Sequence, residues 1–203
     1  MFTYIKRGKK MTQMTERQKQ IMEKAIKIIA DDGIQNLTIK NLSRAVGVTE
    51  AALYRHYENK HAILMSILDL FDEFSHTQVK QGKKKAEGLE GIKEFVFDRY
   101  EKFSNSPELA KVLFSEAVFI SDPELSERMR TIIHAHRSEF TELIEKAKLK
   151  KEIAKTLDNK SLFRIIVGSM RLLVTQWCFN NYSFDLKKEG ETLWNNIEIL
   201  IKR

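Results

Sequence analysis

An all-α fold is what this sequence predicts, on three observations. Only two prolines and eight glycines interrupt its 203 residues, so long helices are permitted almost everywhere. Apolar residues recur three and four positions apart in nearly every segment, which is the spacing of one helix face. No strand-like alternation persists, and no segment repeats another.

Glu16–Ala30 places Ile21, Ala25, Ile28 and Ile29 on one face and stops at Gly33, read as a left-handed C′ residue. Thr38 caps a short helix, IKNLSRAV, in which Ile39, Leu42 and Val46 share a side. Gly47 and Val48 form a tight turn, Thr49 caps Glu50–Tyr57, and Asn59 caps a longer helix expected to run to about Gln81. Ile63, Leu64, Ile67, Leu68, Phe71 and Phe74 mark its apolar face. KQGKKKAEG, from Lys80 to Gly88, reads as a solvated loop. Further helices are expected at Leu89–Phe103, Pro107–Ile120, Pro123 to about Lys150, Asn159–Tyr182 and Leu186–Lys202, about nine in all. Both prolines fall in a first helical turn, where the missing N–H leaves no bond unmade.

Composition narrows the class. Hydrophobic residues make up 42% and charged residues 31%, a balance that suits a chain able to bury a core. A single cysteine, Cys178, excludes an intramolecular disulfide and fits a reducing compartment. The N-terminus is basic but has no apolar run of signal-peptide length, and no unbroken apolar stretch approaches the roughly 18 residues of a membrane span. The expectation is a cytoplasmic protein with no membrane partner. The net charge of +7 is uneven: residues 1–60 hold 12 Lys+Arg against 6 Asp+Glu, and the rest hold 23 against 22. A basic end on a near-neutral body points to an anionic partner, of which a nucleic-acid backbone is the usual one.

The stretch GVTEAALYRHYENK lies in that basic end. At about 100° per residue, Leu53 and Tyr57 share one side and face the core, and Arg55 points about 180° away. Ala51 and Ala52 flank Arg55 and permit close approach, while Tyr54 and His56 lie on its shoulders. Such a helix fits a major groove: Arg55 can donate two hydrogen bonds to guanine, and Tyr54 and His56 reach the phosphates of the groove walls. Lys60, at the start of the next helix, offers a cation to another phosphate. The preceding short helix and tight turn make the arrangement a helix–turn–helix whose second helix reads DNA.

From Arg17 to Leu64 the residues resemble the tetracycline-repressor (TetR) family of bacterial regulators. The Gly33 stop, the Thr38 cap, GVT at the turn, LYRHY in the reader and NK opening the next helix carry the likeness. It covers about the first third of the chain; the remainder matches in being an all-helical body of suitable size. The resemblance implies DNA-binding roles for Thr38, Thr49, Glu50, Ala51, Ala52, Tyr54, Arg55, His56 and Lys60. Glu50 departs from the small or neutral polar residue common at that position. A glutamate accepts from cytosine N4 but repels phosphate, so Glu50 either specifies a base or stabilises its helix N-terminus, and the second is preferred. Three regions are therefore expected: a basic arm over 1–14, a helix–turn–helix domain over 15–60 and a helical effector-binding and dimerisation domain over 61–203.

In the body, Asn159–Tyr182 gathers Leu162, Phe163, Ile166, Val167, Met170, Leu173, Val174 and Trp177 on a broad core-like face. A second, narrow seam holds Ile165, Leu172 and Phe179 beside Gly168 and Ser169. A helix with two apolar faces needs two partners, so this seam reads as a subunit interface. The last helix supplies Leu193, Ile197 and Leu200 to it, and two such helices per chain make the four-helix homodimer that the resemblance also implies. The resemblance further implies an apolar effector pocket, assigned to Phe97, Tyr100, Phe114, Met129, Ile133, Met170 and Trp177 with His134 as a polar orienter. Any one of these is ordinarily a core residue.

Enzyme chemistry has little support. The E-x-x-H of Glu73–His76 lacks the second copy a di-iron bundle needs. His134 and His136, two apart, point away from each other on a helix. No glycine-rich phosphate loop occurs, and no catalytic group, metal or cofactor is expected. The leading expectation is a repressor released from a palindromic operator by a small apolar or amphipathic effector. The alternative is a DNA-binding architectural or division-control protein of the same fold that takes no effector.

Overall fold

In the computed structural model the described residues are 14–73, 86–115 and 117–202, and every regular element among them is helical. Ten α-helices follow one another: α1 (Glu16–Asp32), α2 (Ile39–Val46), α3 (Glu50–Tyr54), α4 (Lys60–Glu73), α5 (Gly88–Asn105), α6 (Pro107–Leu113), α7 (Ala117–Ile120), α8 (Pro123–Leu149), α9 (Asn159–Phe179) and α10 (Leu186–Ile201). The tenth arises because the helix expected over Pro107–Ile120 is two. It stops at Leu113, and Phe114 takes φ −90° and ψ −1° as it leaves the helix. The end of α4 towards Gln81, the Lys80–Lys85 loop, His76, Phe74 and the arm before Met14 lie outside the described residues.

The chain divides into two compact units. The first holds residues up to 73 together with 115–131; the second holds 74–114 and 132–203. The expected domain boundary at residue 60 falls at the first turn of α4, whereas the first unit continues to residue 73. Ile63, Leu64, Ile67 and Leu68 of α4 are buried, and this packing accounts for the longer unit. Residues of α8 belong to both units, since the division falls between Thr131 and Ile132.

The first unit is a small helical cluster around Ile21, Ala25 and Ile29 of α1, Leu42 of α2, Leu53 of α3 and Ile63 and Ile67 of α4, all buried. Thr15 opens α1 with a capping box: its hydroxyl accepts from the Gln18 N–H, and the Gln18 side chain accepts from the Thr15 N–H. Gly33 does stop α1, but at φ 85° and ψ 164° rather than in the left-handed helical well. That region is open to glycine alone, and it leads the chain straight into a 3-10 turn at Ile34–Asn36. From the α8 side, Arg128 bonds Asp69 through Nε (3.1 Å) and Nη2 (2.7 Å) and bonds Asp72 at 2.9 Å. Burial raises the Asp69 carboxyl above its ordinary pKa, and the Arg128 guanidinium opposes that rise.

The second unit packs α5 against α10 and α9. Phe95, Tyr100 and Phe103 of α5, Phe140 of α8 and Trp194 of α10 are its largest fully buried side chains. Phe140 meets Phe95 and Phe163 edge-on, at 5.0 Å and 5.5 Å between ring centroids, which joins α5, α8 and α9. Asp158 caps α9 and Asp185 caps α10. Both buried indoles have acceptors: Trp177 donates to the Phe184 carbonyl at 2.9 Å and Trp194 to Glu198 at 2.9 Å.

Candidate functional site

Helices α2 and α3 form the helix–turn–helix, and Gly47 sets the angle between them. Gly47 is left-handed (φ 73°, ψ 41°), and the Val48 N–H closes the end of α2 on the Ser43 carbonyl at 3.0 Å. A Cβ at Gly47 would meet nothing within 4 Å, so glycine is needed here for its φ and not for space. Helix α3 is shorter than the expected Glu50–Tyr57, because its last turn tightens, with the His56 N–H on the Leu53 carbonyl at 2.9 Å. Arg55 keeps helical angles (φ −66°, ψ −21°), so the side-chain directions read from the sequence persist.

Leu53 and Tyr57 are buried, as the wheel requires. Tyr57 donates to the Gln18 carbonyl at 3.2 Å, and Gln18 Nε2 donates to the His56 carbonyl at 3.2 Å. Burial raises the Tyr57 hydroxyl pKa, with a Ser66 hydrogen bond opposing. Gln18 thus fastens the reader to α1 while completing the cap of α1, a positioning role the sequence reading missed. The Thr15-x-x-Gln18 capping pattern was its visible signal.

Thr38, Thr49, Glu50, Ala51, Tyr54 and Arg55 are exposed, and Ala52 and His56 are half-buried. Thr38 and Thr49 accept the Asn41 and Ala52 N–H groups at 3.1 Å and 3.2 Å. Each hydroxyl therefore spends an acceptor on its cap and retains its O–H donor. Glu50 opens the first turn of α3. Lys60 is turned partly inward: Nζ donates to the Ile34 carbonyl at 2.7 Å, and burial lowers its pKa. An ammonium has three donors, so this bond pins the 3-10 turn and leaves two. Lys40 and Arg44 of α2 are exposed cations in the same unit that the sequence reading did not single out.

On α9, Ile165, Leu172 and Phe179 are 49%, 59% and 82% exposed. Gly168 lies on the same exposed strip, where an added Cβ would meet nothing within 4 Å, and Ser169 is half-buried. On α10, Leu200 is 76% exposed and Leu193 half-buried, while Ile199 adds an exposed apolar side chain. Ile197 departs from its expected place on the seam. It is 6% exposed and falls in the stripe of Gly190, Trp194 and Ile201, one helical face turned to the core. With an apolar face on both sides, α9 is long and apolar enough to cross a membrane by length and composition.

Residues 21–67 match the family model described as bacterial regulatory proteins, tetR family, and residues 68–201 match that of the C-terminal region of YsiA-like proteins. The chain belongs to the tetR family. As a tetR-family protein it is a DNA-binding transcriptional regulator, with α2 and α3 as its helix–turn–helix. The nucleoid occlusion factor SlmA of Actinobacillus pleuropneumoniae serotype 5b is 24% identical to it over 190 residues, covering 92% of this chain and 93% of that protein. The fatty acid metabolism regulator protein of Bacillus subtilis is 23% identical over 177 residues, covering 87% and 91%. Among solved structures, the fatty acid degradation regulator FadR of Bacillus halodurans superposes with a TM-score of 0.78 at 20% identity, covering 91% of this chain and 95% of that one. FadR of Bacillus subtilis in complex with stearoyl-CoA superposes at 0.73 and 22% identity, covering 88% and 96%.

The residues assigned to an effector pocket in this tetR-family chain differ widely in burial. Tyr100, Met170 and Trp177 are buried, Phe97 and Phe114 half-buried, and Ile133 and His134 exposed on α8. Met129 is half-buried in the first unit. Phe97 meets Tyr100 edge-on at 5.7 Å, and Phe114 meets Phe103 edge-on at 5.3 Å. Arg171 lies 5.6 Å from the Phe114 ring. A surface cleft of about 320 Å³ between α5 and α10, lined by Leu89, Lys93, Trp194 and Glu198 among others, contains none of the expected pocket residues.

Proposed function

We propose that this regulator is a homodimeric cytoplasmic repressor that holds a palindromic operator and leaves it on taking up an amphipathic small molecule. The observation that carries the reading is the exposed edge of α3. Arg55 stands clear there with Ala51 beside it, on a helix fixed from below by Leu53, Tyr57 and Gln18. Arg55 is assigned to a base, and Tyr54, His56, Thr38, Thr49 and the remaining donors of Lys60 to phosphates. Lys40 and Arg44 extend the phosphate contacts along α2. Glu50 serves the N-terminus of α3 and keeps the acidic group at the edge of the footprint.

The dimer seam is assigned to Ile165, Gly168, Ser169, Leu172 and Phe179 of α9 with Leu193, Ile199 and Leu200 of α10. It sets two readers about one DNA turn apart, roughly 34–36 Å. Relatives named for fatty acid metabolism support an effector with an acyl tail. Since α8 contributes to both units, a ligand that favours a different tilt of α8 shifts the reader spacing and lowers operator affinity. Dodecanoate and stearoyl-CoA titrated into an operator complex, followed by fluorescence anisotropy and light scattering, test this: affinity falls while the dimer stays intact. Operator affinity untouched by every amphiphile would falsify the sensor half.

The relatives named as nucleoid occlusion factors favour a second reading, a division-control protein without an effector. Binding at many chromosomal sites with no response to amphiphiles selects it over the first.

A further inference from the structure

Arg99, on α5, is the one lysine or arginine among the described residues that is buried, at 2% exposure. Its Nη1 donates to the Phe95 carbonyl at 2.7 Å, and its Cζ lies 3.3 Å from the centroid of the Phe95 ring. That carbonyl already accepts the helical N–H one turn later, so it does little to balance the charge. Nη2 is buried with no hydrogen-bond partner among the described residues. Asp98, next in sequence, pairs with Lys102 at 2.7 Å. Glu139, half-buried on α8, acts on Arg99 through space. Burial pushes the guanidinium down to about 10, with Asp98 and Glu139 opposing, so it remains charged at neutral pH.

A charge taken out of water is strongly unfavourable unless paired and hydrogen-bonded. Methionine or leucine would fill the same volume without that penalty. The ring of Phe95 beneath the guanidinium continues through Phe140 to Phe163, so the surroundings are an aromatic layer joining three helices. A cationic fork at one end of an aromatic layer is complementary to a molecule with an anionic head and an apolar tail.

We infer that Arg99 anchors the carboxylate of an apolar-tailed monocarboxylic acid taken into the second unit. The N–H groups of Nη2 and the second N–H of Nη1 donate to the two carboxylate oxygens, and the tail lies among Phe95, Phe140 and Phe163. This rests on the effector reading above and goes further in naming the head group and its anchor. Phe95 and Phe140 are packed edge to face at 5.0 Å, so admitting a tail parts α5 from α8. Binding at this place is therefore coupled to the helix that the two units share.

Dodecanoate and dodecan-1-ol share a tail and differ in the head, which isolates the anchor. Calorimetric titration of each into the full chain and into Arg99→Met is the test. Dodecanoate is expected to bind the parent and to weaken by about ten-fold or more in the variant, while dodecanol changes by less than about two-fold. Arg99→Lys keeps the charge without the fork and falls between. Arg99→Met should unfold at no lower temperature than the parent, because it removes a buried unpaired charge. Equal dodecanoate affinity in parent and Arg99→Met overturns the inference. So does a matched loss of thermal stability in Arg99→Met and Glu139→Gln with dodecanoate affinity unchanged, which makes the arginine a structural ion-pair partner. If dodecanol releases operator DNA from both proteins and dodecanoate never binds, the anchor fails and the effector reading stands. If neither probe binds and stearoyl-CoA also leaves operator affinity unchanged, both fail.

Discussion

The neighbourhood of α3 and the outer strip of α9 are both exposed, and they are built on opposite terms. Around α3 the outward side chains other than Ala51 are polar, and the inward ones are held singly by bonds such as Tyr57 to Gln18 and Lys60 to Ile34. Along the α9 strip the outward side chains of Ile165, Leu172 and Phe179 are large and apolar, and Gly168 leaves the backbone open between them. Reading a nucleic acid requires a few donors at fixed positions, so a five-residue helix suffices if its frame is rigid. Pairing with another copy requires contiguous apolar area, so it needs two long helices.

That contrast breaks most severely if the strip is charged. Leu172→Glu places a carboxylate in the proposed seam, and sedimentation should show a monomer. Operator affinity should fall by about 10² or more, since the second half-site contact is no longer intramolecular. A dimer of unchanged affinity would remove the strip from the interface. Leu53→Ala attacks the frame under the reader: it empties a fully buried site and should destabilise the protein by about 2–5 kcal/mol in a denaturant titration. Loss of operator binding should follow that unfolding, with the α9 strip unaltered in sequence and the second unit still helical by circular dichroism.

Smaller changes sharpen the distinction between donors and frame. Arg55→Ala should leave stability unchanged and reduce discrimination at one base pair by about 1–3 kcal/mol across a set of operator variants. Uniform weakening on all sequences would make Arg55 a phosphate contact instead. Thr49→Ala removes the α3 cap and should lower stability by about 1 kcal/mol, with Thr49→Ser close to the parent. If Thr49→Ser binds the operator as the parent does, the hydroxyl serves cap and phosphate together.

The same contrast explains what the sequence made legible. The reader is assembled from residues close in the chain, so caps at Thr38, Thr49 and Asn59 and the inward pair Leu53 and Tyr57 follow from spacing alone. Lys60 was half-legible: its position at a helix start is local, but its bond to Ile34 spans 26 residues. The body depends on which helix meets which, and that is not local. Ile197 and Leu200 lie three apart on α10, yet one faces the core and the other solvent, because contact with α5 and α9 fixes how α10 is rotated. Ile133 and His134 face outward for the same reason. Arg99 gave no local signal, since an arginine within a helical pattern is ordinarily a solvated side chain.

The open strip on α9 also makes the amount of this protein in a cell an input to its action. If the strip is the proposed dimer seam, a newly made chain carries Ile165, Leu172 and Phe179 in water until it meets a second chain, and the half-life of that condition shortens as copies accumulate. Gene dosage then sets a threshold rather than a proportional response, and halving expression should reduce operator occupancy by more than half.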